Sequence, residues 1–408
     1  MPRVLQILNR FNLGGPTHNA AYLTRYMAPE FETLLIGGSQ EATEAGSQYI
    51  TKSMGVEPLI LPELQREVAP WRDRSAYRRI KQVIKDFKPD IVHTHAAKAG
   101  AVGRMAAADL GVKGIVHTFH GHVFHSYFGP VRTALYKSIE RYLAKRSHRI
   151  IAISERQRDE LVDEHRICEG SKVDVIPLGF DLMPFQLEQE RKRALFRRVY
   201  GVADDELAVG IVGRLVPIKN HDLFLEVIMR VRERTGLKLR AFIVGDGEER
   251  ERLQAQTARL GLSQVMGPYF NGHPFGHGVN GKPMVKPAEV TFTSWIKEID
   301  IVNAGLDIAM LTSLNEGTPV SLIEAQASNR PVVSTDVGGI RNIVQADETA
   351  LLCPSGDAEG LAAALERLAR SAGLRDRMGK GGWDFVRDRY HYTRLIDDTA
   401  RLYRKLLA

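Results

Sequence analysis

The chain has 408 residues, 44% of them hydrophobic and 26% charged, and its two cysteines, Cys168 and Cys353, lie far apart. That excludes a disulfide scaffold and a low-complexity chain, and the length suits two domains of ~100–200 residues each. A net charge of +7 permits an anionic partner (phosphate, acidic membrane surface or nucleic acid) without selecting one, and no apolar run reaches the ~18 residues of a spanning helix.

In chain order, Val4–Leu8 reads as a first buried strand, because it lacks the longer apolar region and small-residue cleavage site of a signal peptide. With two unpaired cysteines, this predicts a reducing, cytoplasmic setting. Further β-branched apolar runs follow at Thr33–Ile36, Glu57–Leu61, Asp90–Thr94, Gly114–Thr118, Arg149–Ile153 and Asp174–Ile176. A second series runs through Ala208–Val212, Leu239–Val244, Val290–Thr293, Asp307–Leu311, Pro331–Ser334 and Ala350–Leu352. Helix-length amphipathic segments such as Ser75–Phe87 and Asp222–Thr235 separate most of them, the pattern of parallel α/β sheets. The series starts twice, so the expected fold is α/β, two Rossmann-like domains with parallel sheets facing a central cleft. The expected boundaries are 1–180 and 181–392, with a last helix at about 393–408 that can pack on either domain. Ligands of such sheets bind beyond the carboxyl ends of the strands.

Gly267–Pro287 breaks the rhythm, with five glycines and four prolines in 21 residues. It reads as a loop insertion, either a lid or a plain surface excursion. His273 and His277 within it are not on a helix, so no metal site is expected there.

Ser313–Gly339 (SLNEGTPVSLIEAQASNRPVVSTDVGG) carries the strongest chemical signal. A buried strand ends in the turn Asn315–Pro319, and a helix starts near Val320. Thr318 suits the cap and Pro319 the first helical position. Gly317 lets a ligand approach the backbone, and the helix N-terminus offers free N–H groups to an anion or to hydroxyls. Glu316 and Glu324 stand eight residues apart, roughly 10 Å along a helical axis. That separation suits two ends of a long ligand better than a hydrolytic carboxylate pair across one bond. Gly213–His221 follows a strand with Arg214 and Lys219, a planar fork and a mobile point charge that suit a diphosphate, although an exposed basic loop has the same composition. Gly245 and Gly247 permit a tight strand-to-helix turn, and Gly14 and Gly15 do the same after the first strand; neither forms a dinucleotide fingerprint.

Histidines cluster at two strand ends, His93 and His95, then His117, His120 and His122, without the acidic ligands of a metal site. The helix Pro130–Arg149 mixes six cations with Leu135, Tyr136, Ile139, Tyr142 and Leu143, as a solvated face or a membrane-surface patch would. The basic stretches carry no nucleic-acid-binding fold, so no nucleic-acid partner is expected.

Taken together, GRLVPIKN, VGDG, EGTPVSLIEA and RPVVSTDVGG resemble the retaining GT-B glycosyltransferases of family four. The resemblance spans nearly the whole chain outside the insertion. It implies a transferase moving a sugar from a nucleotide-sugar donor, UDP-linked by expectation, to a saccharide or lipid-linked acceptor with retention. It implies that Arg214 and Lys219 hold the diphosphate, Glu316 the sugar, and Glu324 the ribose hydroxyls. Gly317, Thr318 and Pro319 then supply backbone contacts, Gly14 and Gly15 meet the donor phosphates, and Gly245 belongs to the donor-binding set. His120 matches the family's histidine near the reacting centre. The resemblance implies no metal and no cofactor, and the basic helix Pro130–Arg149 allows peripheral contact with the inner face of an acidic membrane. Asn329 stands where glycine is usual, which a left-handed asparagine can accommodate. Arg341-Asn342 stands where a glutamate is common. The rival readings are a nucleotide-sugar epimerase on the same fold and a non-catalytic membrane-surface protein.

Overall fold

The computed structural model describes residues 1–11, 15–39, 48–65, 69–121, 129–268, 274–275 and 283–408. The chain forms two compact units. Unit 1 comprises Met1–Phe180 and Arg389–Ala408, and unit 2 comprises Asp181–Asp388.

Unit 1 carries a seven-stranded sheet: β1 Arg3–Arg10, β2 Glu32–Gly38, β3 Leu59–Ile60, β4 Ile91–His95, β5 Gly114–Phe119, β6 Arg149–Ala152 and β7 Val173–Val175, in the order β3-β2-β1-β4-β5-β6-β7. Every pair is parallel, with register such as Val4↔Thr33 and Val4↔Ile91. A parallel sheet is covered by helices on both faces, so its strands are near-continuous apolar runs. Val4, Leu5 and Ile7 accordingly have no exposed surface. The helix Tyr392–Leu407 returns from the end of the chain to this unit. Leu395, Ala400, Leu402 and Tyr403 share one apolar cluster with Val4, Leu23, Phe31, Ile91, Val116 and Ile151. The backbone N–H of Phe180 donates to Tyr390 O at 2.8 Å, and that of Tyr392 to Phe180 O at 3.0 Å, so the segments leaving and re-entering the unit are paired.

Unit 2 repeats the plan: β8 Leu207–Val212, β9 Leu239–Val244, β10 Gln264–Met266, β11 Val290–Ser294, β12 Ile308–Leu311, β13 Val332–Thr335 and β14 Ala350–Cys353, in the order β10-β11-β9-β8-β12-β13-β14, again all parallel. All thirteen apolar runs read from the sequence are strands, and β10 is an addition. In each sheet the order reverses direction beside the first strand, at β1/β4 and at β8/β12. Loops diverge at such a point and leave a crevice beyond the strand ends.

Of the Gly267–Pro287 insertion, the described residues are tied to unit 2. Phe275 lies 6.3 Å from the Phe196 ring and 6.2 Å from Tyr200, and the Met284 N–H donates to Val199 O at 2.9 Å. His122, His273 and His277 lie outside the described residues.

Candidate functional site

In unit 2 the crevice beside β8 and β12 is built from the two loops that diverge there. The short turn Pro217–Lys219 ends at Asn220, whose φ of 49° is left-handed. Thr312 Oγ1, just after β12, donates to Asn220 O at 2.9 Å, and the Leu314 N–H donates to Ile218 O at 2.8 Å. These bonds bring Lys219 and Glu316 together. Lys219 Nζ stands 2.5 Å from Glu316 Oε1, and Ser313 Oγ donates to the same oxygen at 2.6 Å. Both side chains are largely covered, at 18% and 10% exposure. A half-buried pair of this kind holds both groups in one geometry, unlike a freely solvated one. Ser313, which the sequence reading did not single out, is the third member, and its place three residues before Glu316 is the one signal that points to it. Arg214, one loop turn earlier, is exposed and makes no ion pair among the described residues.

Glycines set how tightly these loops pack. A Cβ on Gly339 would lie 1.8 Å from Gly317 O, and one on Gly338, at φ 54°, 1.9 Å from Glu316 O. The Gly339 N–H donates to Glu316 O at 2.9 Å. The Asp336–Gly339 loop after β13 thus presses on the backbone that carries Glu316. Gly245, at φ 139°, does the same for the β8 loop: its Cβ would meet Gly213 O at 1.9 Å. Gly317 differs, with nothing within 4 Å of its Cβ position.

The helix Val320–Ala327 starts one residue later than the sequence suggested. Pro319 is its cap residue and no side chain caps it, so Thr318 is not the cap and Pro319 is not the first helical position. A proline has no N–H to lose there, and its extended ψ of 104° turns the chain into the helix. Thr318 Oγ1 is buried without a partner. Glu324, on this helix, is half-buried, and burial with the nearby Asp300 carboxylate pushes its carboxyl up to about 8. Asp300 is itself paired with Lys192 at 2.7 Å. Asn329 adopts φ 57°, the left-handed turn expected of it, with Gly379 packed closely against its carbonyl. Arg341 turns to Asp336, with Nε 2.9 Å from both carboxylate oxygens.

In unit 1 the strand ends carry a histidine network. Gln6 Nε2 donates to Tyr403 Oη at 3.0 Å, and Tyr403 Oη meets His93 Nδ1 at 2.6 Å. His95 Nε2 meets Gln6 Oε1 at 2.8 Å, and His95 Nδ1 meets His120 Nε2 at 2.9 Å. His117 Nδ1 bonds Thr94 Oγ1 at 2.9 Å. Burial drives the imidazoles of His93 and His120 down to about 3, and those of His95 and His117 well below their ordinary range, so all four are neutral. His120 Nδ1 is buried without a partner, a cost of about 1–3 kcal/mol until some group bonds it. Gly15 opens the helix Gly15–Tyr26 after β1, and Gly14 lies outside the described residues. No cluster of three metal-ligating side chains occurs among the described residues.

The outer helices Pro70–Phe87 and Pro130–Arg146 of unit 1 expose Trp71 (84%), Val131 (83%), Leu135 (58%) and Tyr142 (48%) among their cations. Among the described residues no helix is long and apolar enough to cross a membrane.

Comparison with known proteins fits this anatomy. Residues 13–183 match the family described as Glycosyltransferase Family 4, and residues 192–269 and 277–371 match Glycosyl transferases group 1. The chain is 27% identical over 349 residues to the UDP-Gal:alpha-D-GlcNAc-diphosphoundecaprenol alpha-1,3-galactosyltransferase of Escherichia coli, covering 85% of this chain and 84% of that one. It is 29% identical to a D-inositol 3-phosphate glycosyltransferase of Kribbella flavida, covering 73% and 69%. Among solved structures, HepE of Anabaena in complex with UDP superposes with a TM-score of 0.78 at 17% identity, covering 99% of this chain and 100% of that one. A sucrose-phosphate synthase of Thermosynechococcus elongatus gives the same score and identity, with 100% and 99% covered.

Proposed function

We propose, from the premise that the chain belongs to the family-four, group 1 glycosyltransferases of GT-B fold, that it moves a sugar from UDP to a saccharide or lipid-linked acceptor with retention of configuration. The observation that carries the reading is the Lys219–Glu316–Ser313 cluster at the strand-order reversal of unit 2. A nucleoside diphosphate sugar needs a cation at its phosphates and an oriented acceptor at its sugar hydroxyls, and this crevice holds both within one hydrogen bond.

Each residue then has a role. Arg214 and Lys219 take the diphosphate, and Glu316 takes the sugar hydroxyls. The uncapped N-terminus after Gly317, Thr318 and Pro319 supplies N–H groups, and Glu324 takes the ribose. Gly245 shapes the loop that carries Arg214. Unit 1 carries the acceptor, with Gly15 at the start of the helix after β1 and His120 at a sugar hydroxyl. The bond from the anomeric carbon to the phosphate oxygen breaks, and the acceptor oxygen bonds that carbon on the same face. The acceptor proton passes to the leaving phosphate. Cationic side chains and the helix end stabilise the leaving group, so the reaction proceeds without a metal ion or cofactor. The E. coli relative, a UDP-Gal:alpha-D-GlcNAc-diphosphoundecaprenol alpha-1,3-galactosyltransferase, supports a UDP donor and a lipid-linked acceptor. The exposed apolar side chains among the cations of Pro130–Arg146 support docking on an acidic membrane surface.

A panel of UDP-sugars, with and without lipid-diphosphate saccharides, tests the reading by mass spectrometry and by NMR of the product anomer. One donor should be consumed to give an α product from an α donor. Absence of binding to every sugar nucleotide sinks the proposal, and conversion of the donor without acceptor transfers it to an epimerase. Co-sedimentation with anionic but not neutral vesicles, weakened by Leu135→Glu, tests the membrane contact.

A further inference from the structure

The histidine network of unit 1 has a direction. Neutral imidazole has one N–H and one bare nitrogen, and the partner of one decides the state of the other. Gln6 sends its NH2 to Tyr403, so its carbonyl oxygen faces His95 Nε2 at 2.8 Å. An oxygen acceptor requires that His95 carry its proton on Nε2. His95 Nδ1 is then bare, and at 2.9 Å it can only accept from a protonated Nε2 of His120. The remaining nitrogen of His120, Nδ1, is left bare, buried and without a partner. The same amide sets the other arm. Tyr403, given a donor by Gln6, donates its own proton to His93 Nδ1, and His93 Nε2–H turns to Thr118 Oγ1 at 2.7 Å. Gln6 has no exposed surface, so this chain of bonds is shielded from competing water.

We propose that Gln6 is a positioning residue which, through His95, holds His120 as the Nε2-protonated tautomer, so that Nδ1 accepts a hydrogen bond from a hydroxyl of the sugar substrate. This rests on the reading of His120 as part of a sugar transferase site. A bare nitrogen cannot donate to a phosphate or a carbonyl, and it repels both. The position after β5 therefore selects a hydrogen-bond donor, such as a sugar hydroxyl. Tyr403, on the helix that returns from the end of the chain, acts at one further remove by keeping the Gln6 amide from rotating.

The test is long-range proton–nitrogen NMR on the full chain carrying 15N-histidine, with His120 assigned by loss of its signals in His120→Gln. In the wild type His120 should show a bare Nδ1 and a protonated Nε2 from pH 6 to 8; a protonated Nδ1 overturns the proposal without any variant. Gln6→Met, close in volume but without the amide, should mix the two tautomers and lower kcat about tenfold with UDP affinity unchanged. Gln6→Glu, whose carboxylate still accepts from His95 Nε2–H, should restore the tautomer and most of kcat. If Gln6→Met loses its cooperative melt, Tyr403→Phe serves in its place and should also mix the tautomers. A single unchanged tautomer in the variant that folds overturns the proposal. If no sugar nucleotide is bound or turned over, the transferase reading fails while the nitrogen spectra still decide the relay. If transfer occurs and His120 is indifferent to Gln6, the relay fails alone.

Discussion

At the scale of single residues, the two glutamates of Ser313–Gly339 have different environments despite sharing one segment. Glu316 receives Lys219 and Ser313 on one oxygen. An amide can accept the same two bonds, so Glu316→Gln should fold with stability changed by less than about 1 kcal/mol. Transfer should fall by ~10²–10³-fold, the scale of losing one preorganised polar contact to the reacting sugar. UDP affinity should hold or rise, because Lys219 is freed from a carboxylate. Calorimetry and kcat together check this, and near-normal transfer in Glu316→Gln removes Glu316 from the site. Glu324 is set apart by protonation, its carboxyl raised from the ordinary 4.5 to about 8. A raised folded value means that ionisation favours the unfolded chain. The penalty is absent below about pH 4.5, grows between 4.5 and 8, and is complete above 8. Glu324→Gln should therefore melt like the wild type near pH 4.5 and be more stable at pH 8, by about 2 kcal/mol once its partly open flank is allowed for. An equal Tm difference at both pH values would contradict the raised carboxyl. Both glutamates are visible in the sequence, but the raised carboxyl of Glu324 is not, because Asp300 and the covering backbone come from distant segments.

At the scale of elements, loops meet through glycines, and the glycines differ in what they answer to. Gly339 has an ordinary φ of −86°, so alanine there is free of backbone strain and meets only the carbonyl of Gly317. Gly339→Ala should displace the Glu316 loop, costing ~1–3 kcal/mol of stability and most of the transfer activity. Gly317→Ala meets open space, so its Tm should match the wild type within the ±0.5 kcal/mol usual for surface changes. If a donor lies against that backbone, its KM should still rise about tenfold. A thermal melt and a donor titration on the two variants separate loop packing from ligand approach, and parallel losses in both would contradict the distinction. Most elements could be read directly, because strands covered on both faces are mostly apolar runs, as at Ile308–Leu311 and Leu207–Val212. The edge strand Gln264–Met266 escaped notice for the converse reason. It has three residues, none fully buried, and owes its conformation to β11 beside it. The one-residue shift at the helix Val320–Ala327 has a similar origin: threonine and proline both suit a helix start, and only the surrounding loops decide between registers. The Gly338-Gly339 pair could be seen as a turn, but its partner 22 residues earlier could not.

At the scale of the whole molecule, the chain leaves unit 1 at Phe180 and comes back at Arg389. The returning helix fills a gap in an apolar cluster and inserts Tyr403 Oη between Gln6 and His93. A chain ending at Phe180 should therefore keep β1 to β7 but expose the surface that Leu395, Leu402 and Tyr403 cover, binding a hydrophobic dye and associating at micromolar concentration. Joining residues 389–408 after Phe180 through a flexible linker of ~8 residues should give a monomer with a cooperative melt. Size-exclusion chromatography compares the two, and a well-behaved monomer from the shorter chain would show that the helix is dispensable. The return also imposes an order in time. Synthesis runs at ~5–20 residues per second, so the 181–388 stretch keeps unit 1 waiting on the order of 10–40 s for its final helix. The unit made first is the one completed last. During that interval its open apolar face is a natural client for a chaperone, and an arrest anywhere in unit 2 leaves a product in which Gln6 and His93 have never met Tyr403.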